Sequence, residues 1–242
     1  MPVLQGAEKS TVSIAAASDL VFCLEELDRE FKKEQPGTEL KVSTGSSGNF
    51  YAQIENGAPF DVFLSADISY PRALAKSAKA NGDSTFVYAV GRLVLWSMNT
   101  NMDFSQGLAS LREPSIRKFA IANPDHAPYG AAARAALQNA GVWTALQPRL
   151  VLGENIAQTA QFIQTGNVDA GLVALSLVAA PKMKGKGKWW LVPEGDHPRL
   201  EQAAILTTRG TQNSGAVLYL AFLRGGKARS IFELYGFQSP PK

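Results

Sequence analysis

Short β-rich runs alternate with helix-periodic stretches along nearly the whole chain, and the joints between them are tight and made of small residues. Thr11–Ala16 reads as a strand. Leu20, Leu24, Leu27 and Phe31 then recur at helical spacing up to the Pro36-Gly37 break. Glu39–Ser43 is a second strand, followed by Gly45-Ser46-Ser47-Gly48 and a helix through Ile54. Asp61–Leu64 is a third, with a helix near Pro71–Lys79. Repeated β-α units with such turns predict a mostly parallel sheet flanked by helices, an α/β fold.

At Phe86 the pattern changes. Phe86–Trp96 is one long β-rich segment, and a second β-α series follows it. Phe119–Ala122, Arg149–Leu152 and Asp169–Val173 read as strands, with helices from about Tyr129 to Asn139 and Asn155 to Gln164. A last β-rich run, Gln202–Thr207, leads into helices at Ala216–Leu223 and Arg229–Tyr235. Two β segments thus bracket the middle third, which predicts two lobes with the chain crossing twice: residues 10–89 and 203–242 in lobe I, 90–202 in lobe II. A cleft between such lobes is a natural ligand site.

Composition removes several alternatives. A hydrophobic fraction of 45% over 242 residues supports a packed core. The net charge of +3, from 24 basic and 21 acidic residues, argues against a nucleic-acid partner. The run from Lys182 to Lys188 is broken by glycines and reads as a solvated loop. Cys23 stands alone in an apolar helix pattern and packs as a small hydrophobe; with two histidines it cannot build a zinc cluster. No apolar run reaches the length of a membrane-spanning helix. Met1 to Ser10 lack the apolar stretch of a signal peptide, so the chain is either cytoplasmic or has lost its leader.

Ligands of parallel sheets sit beyond the carboxyl ends of the strands, where helix N-termini converge. Four turns fall there: Ala15-Ala16-Ala17-Ser18-Asp19, Gly45-Ser46-Ser47-Gly48, Asn123–Gly130 and Gly153-Glu154-Asn155-Ile156. Each offers free backbone N–H groups at a positive dipole end. Ser18 and Ser47 add hydroxyls and Tyr129 a phenol. Together they can surround an anion with neutral donors. No Lys or Arg occurs in them, and His126, before Ala-Pro, reads as loop surface. Asp19 either accepts a proton-bearing ligand's hydrogen bond, repels an anion, or merely compensates a helix dipole. Each feature also has a bland counterpart: a serine before a helix caps it, Gly-Ser-Ser-Gly is a turn, and Pro-Tyr starts a helix. The functional reading rests on their common placement.

These residues resemble the periplasmic molybdate-binding proteins of ABC transporters. The likeness is carried by Ala15–Ser18, Gly45–Gly48, Ala52–Pro59, Phe63–Asp67, Asn123–Gly130 and Ile231–Phe237, in order from about residue 11 to 238. It implies a two-lobed, type II-like periplasmic binding protein and an oxyanion, molybdate or tungstate, held by Ser18, Ser47, Tyr129 and Ile156; Asp19, next to Ser18, is counted with them as a site residue. Molybdenum then enters only as the bound oxyanion, and no cofactor is expected. The resemblance further implies a membrane permease as partner, a monomer, and a periplasmic location after removal of a leader. Many members carry a tyrosine in the segment that here reads Gly171-Leu172-Val173-Ala174; this chain is similar to the branch with Tyr129, whose phenol is expected to supply the missing donor. The alternatives within the same fold are sulfate, a phosphorylated metabolite or a ferric ion. Catalysis is not expected, since no histidine is placed to activate Ser18 or Ser47 and no Gly-x-Ser-x-Gly elbow exists.

Overall fold

The computed structural model describes residues 10–240. Residues 1–9, on which the leader reading falls, and 241–242, the end of the expected lobe I, lie outside them. Ten strands are present among the described residues: β1 (Ser10–Ala17), β2 (Thr38–Gly45), β3 (Val62–Ser65), β4 (Phe86–Gly91), β5 (Leu93–Ser97), β6 (Phe119–Ala122), β7 (Leu150–Gly153), β8 (Ala170–Ala174), β9 (Lys188–Leu191) and β10 (Leu200–Leu206). The helices are α1 (Val21–Glu34), α2 (Ser47–Glu55), α3 (Ser69–Lys76), α4 (Pro128–Asn139), α5 (Trp143–Leu146), α6 (Ile156–Gln164), α7 (Leu175–Val178), α8 (Ser214–Arg224) and α9 (Gly226–Leu234).

The strands form two five-stranded mixed sheets, ordered β2-β1-β3-β10-β4 and β7-β6-β8-β5-β9. β1 runs parallel to β2 and β3, and β6 runs parallel to β7 and β8. In the first sheet only β10 runs against the rest, and in the second only β5. Each is the strand on which the chain arrives from the other half, so it enters its new sheet from the cleft side. The parallel strands point their carboxyl ends the opposite way, into the cleft.

Burial follows this layering. β3, β5, β6 and β8 are buried along their whole length, as in sheets covered on both faces. β2, at a sheet edge, carries Glu39 and Lys41 outward, which suits an unpaired edge. α1 buries Cys23, Leu24, Leu27 and Phe31 on one face. Cys23 packs in the core and donates to the Leu20 carbonyl at 3.3 Å.

Three of the expected elements have different bounds. The single segment Phe86–Trp96 is two strands, broken at Arg92, one in each sheet. The last strand begins at Leu200, because Leu200 pairs with Gly91 beside the crossing point. α3 stops at Lys76 rather than Lys79, since Ala78 takes a left-handed backbone (φ 57°) and ends the helix. Among the described residues no helix is long and apolar enough to cross a membrane.

Candidate functional site

The carboxyl ends of β1, β2, β3, β6 and β7 meet across a small cavity between the two sheets. Its walls are Ala17, Ser18, Asp19, Gly45, Ser46, Ser47 and Ala66 from one side and Ala127, Pro128, Tyr129 and Ile156 from the other. All five residues singled out from the sequence therefore converge on one place, and each is buried. The space they enclose is small. As the side chains stand there is room for little more than one water molecule, so any guest must be compact and the walls must adjust to admit it.

The serines are not used as caps of their own helices. Ser18 Oγ accepts the N–H of Ala157, in the first turn of α6 across the cleft, at 3.3 Å. Ser47 Oγ accepts the Ala66 N–H at 2.9 Å. Each hydroxyl oxygen is thus already an acceptor, which leaves its own hydrogen free as a donor. Ser46, the residue before α2, shares a hydrogen bond with His126 Nδ1, 3.0 Å from its Oγ, on the opposite lip.

Tyr129 and Ile156 come from helix starts whose first-turn N–H groups have no intrahelical acceptor. Pro128 opens α4 with a φ suited to the first helical position. Asn155 caps α6, its side chain accepting the Gln158 N–H at 3.0 Å. Gly130 lets α4 sit against β6: a Cβ there would lie 2.8 Å from the Ala122 carbonyl carbon.

The lining contains no lysine, arginine or histidine. Its polar character comes from hydroxyls and helix-end dipoles, an arrangement that attracts anions. Asp19 is the exception. It is 1% exposed, and neither carboxyl oxygen has a partner at hydrogen-bonding geometry. Burial raises its pKa to about 7, partly opposed by the nearby Tyr129 phenol, its own backbone and the Gln202 amide. The phenol of Tyr129 is turned toward Asp19 and Gln202, with Gln202 Nε2 3.4 Å from its oxygen.

Sequence reasoning missed Ser46, Gln202 and the role of His126. His126 is half-buried rather than loop surface, because its ring is drawn to Ser46 and its carbonyl accepts the Gly48 N–H at 2.9 Å. Gln202 carried no local signal; it is a buried amide inside an apolar strand. A larger cleft, of about 670 Å³, lies elsewhere in the second half of the molecule. Asp103, Glu113 and Asp169 line it and no basic residue does, so it suits an anion poorly.

Two sheets joined by two crossing strands, with a small cavity lined by hydroxyls and helix starts between them, define a solute-binding protein. The chain belongs to the bacterial extracellular solute-binding proteins, whose family model matches residues 12–238. It is 38% identical to the molybdate-binding protein ModA of Azotobacter vinelandii over 231 residues, covering 96% of this chain and 91% of that one. It is 40% identical to the molybdate-binding protein ModA of Rhodobacter capsulatus over 204 residues, 84% of this chain and 79% of the relative. The solved periplasmic molybdate-binding protein of Azotobacter vinelandii superposes with a TM-score of 0.90 at 34% identity, covering 95% of this chain and all of that one. The family's members bind solutes, and this chain is a binding protein rather than an enzyme.

Proposed function

We propose that this protein captures molybdate, and tungstate with it, in the periplasm and delivers the anion to the membrane permease of an ABC transporter. The observation that carries the reading is a small cavity walled by both halves of the molecule, where the Ser18 and Ser47 hydroxyls meet the starts of α4 and α6. The similarity to two molybdate-binding proteins at 38% and 40% identity supports the choice of anion. Ser18 and Ser47 donate through their hydroxyls, Tyr129 and Ile156 through backbone N–H groups, and Asp19 borders the guest. The lobes are residues 10–91 with 200–240, and 92–199, two to three residues away from the expected bounds because β4 and β10 belong whole to the first sheet, and the protein acts as a monomer. Anion binding bridges the lobes and shifts the population toward the closed form. Sulfate is discriminated by its smaller size, because the three dianions share the same chemistry.

Calorimetric titration with molybdate, tungstate, sulfate and phosphate tests this directly. Tight binding of the first two and weak or absent binding of the others is expected. A clear preference for sulfate or phosphate would defeat the assignment.

Closure itself has a contact to probe. A Cβ at Gly48 would stand 2.7 Å from the His126 carbonyl oxygen and 2.9 Å from its Cα, backbone that has little freedom to yield. Overpacking of this kind costs about 1–3 kcal/mol. Gly48→Ala is therefore expected to weaken molybdate binding roughly 5- to 150-fold. Small-angle scattering at subsaturating anion should show a larger radius of gyration than for the parent. Unchanged affinity would mean that the lobes do not meet at this point when the ligand is held.

A further inference from the structure

Asp19 poses a problem for the reading above, on which this inference rests. A carboxylate at the rim of a cavity meant for a dianion opposes binding unless its charge is removed or balanced. Among the described residues no cation balances it: the cavity lining holds no basic residue, and the groups that lower the Asp19 pKa are the Tyr129 phenol, its own backbone and the Gln202 amide, none of them charged. The titratable groups facing it are Cys23 from α1, Tyr88 from β4 and Tyr129 from α4; β10 contributes the uncharged Gln202, and α7 contributes Ser176, whose hydroxyl donates to the Asp19 carbonyl at 2.7 Å.

The hydrogen bonds around it have a direction. Tyr88 donates its O–H to Gln202 Oε1 at 3.2 Å, which fixes the amide. Gln202 Nε2 then donates to the Tyr129 oxygen at 3.4 Å. The Tyr129 proton is left to face Asp19. The network thus reaches from both crossing segments to a single carboxyl whose two oxygens are otherwise unpartnered.

We infer that Asp19 is the proton-accepting group of the binding site, so that each oxyanion enters together with one proton from solvent, carried on the Asp19 carboxyl. Two observations about charge support this. Burial pushes the Cys23 thiol and the Tyr88 and Tyr129 phenols well above their ordinary ranges, so all three stay neutral at pH 8.5. Asp19, raised to about 7 with the two halves in contact and less desolvated when they part, is the one member of the cluster that is mostly ionised there before the anion arrives. The neutral acid is also the better neighbour, since it can donate a hydrogen bond where the carboxylate can only accept.

Titrating the intact protein with molybdate at pH 8.5, in two buffers of different ionisation enthalpy, counts the protons taken up. Close to one proton per anion is expected at pH 8.5, falling toward zero by pH 6. The Kd should rise about tenfold from pH 7.5 to 8.5. In Asp19→Asn the uptake should vanish and the Kd become flat over the same range. The buffer comparison on the parent protein decides the question even if the variant does not fold. Heats that are independent of buffer at pH 8.5 would overturn the inference, as would uptake that survives in D19N. Binding that is tight but indifferent to pH removes this inference alone. No binding of molybdate at either pH 6 or pH 8.5 removes the functional reading and this inference with it.

Discussion

The double variant S18A/S47A is expected to bind molybdate two to four orders of magnitude more weakly than the parent while remaining folded. Each hydroxyl oxygen already accepts a backbone N–H, from Ala157 at 3.3 Å and from Ala66 at 2.9 Å. That fixes both oxygens and leaves both hydrogens pointing elsewhere, which makes them donors prepared in advance. A hydrogen bond to a charged partner contributes about 1.5–3 kcal/mol, so the loss of two amounts to roughly 3–6 kcal/mol. Folding loses less, about 1 kcal/mol for each orphaned N–H. Calorimetry measures the affinity, and urea midpoints without ligand measure the fold. A drop in affinity below tenfold would show that helix-end N–H groups alone hold the anion. Ser18 and Ser47 would then matter only for joining elements together.

Local features made much of this legible from residues alone. The β-α alternation and the small-residue turns are local properties, and so was the placement of Ser18, Ser47, Tyr129 and Ile156 at strand-to-helix joints. The break at Arg92 was not legible, because the segment is apolar on both sides of it and both strands are buried over consecutive residues, so no change of period marks the crossing. β9 went unseen since it is a four-residue edge strand behind a Lys/Gly loop, with Trp189 46% exposed and no alternation to betray it. The surroundings of Asp19 were the deepest omission. They depend on residues 19, 88, 129 and 202, which come together only after both crossings are made. The choice of anion came from resemblance, since any small dianion satisfies the same donors.

Ligand-free Asp19→Asn is expected to gain stability over the parent as pH rises from about 4 to 7, and to keep that gain above 7. With the two halves in contact, as in this structure, the Asp19 carboxyl is raised from 3.8 to about 7, chiefly by burial. The folded state then binds this proton more tightly than the unfolded chain, so stability is fully present below about 4 and is lost as pH climbs through the folded value. The shift of about three pH units corresponds to a cost on the order of 4 kcal/mol at pH 8. Asn pays none of it, whatever fixed offset its amide introduces. The parent's own pH profile does not isolate the effect, because Asp28 is also raised by burial, to about 6, and acts with the same sign. The difference between variant and parent does isolate it, since Asp28 is common to both. Urea unfolding at pH 4.5, 6 and 8 supplies that difference, and parallel profiles would mean that Asp19 is ionised at little cost in the folded protein. A widening gap would show instead that the free receptor carries a destabilising charge at neutral pH. Part of the anion's binding energy would then be spent on drawing in the proton that relieves it.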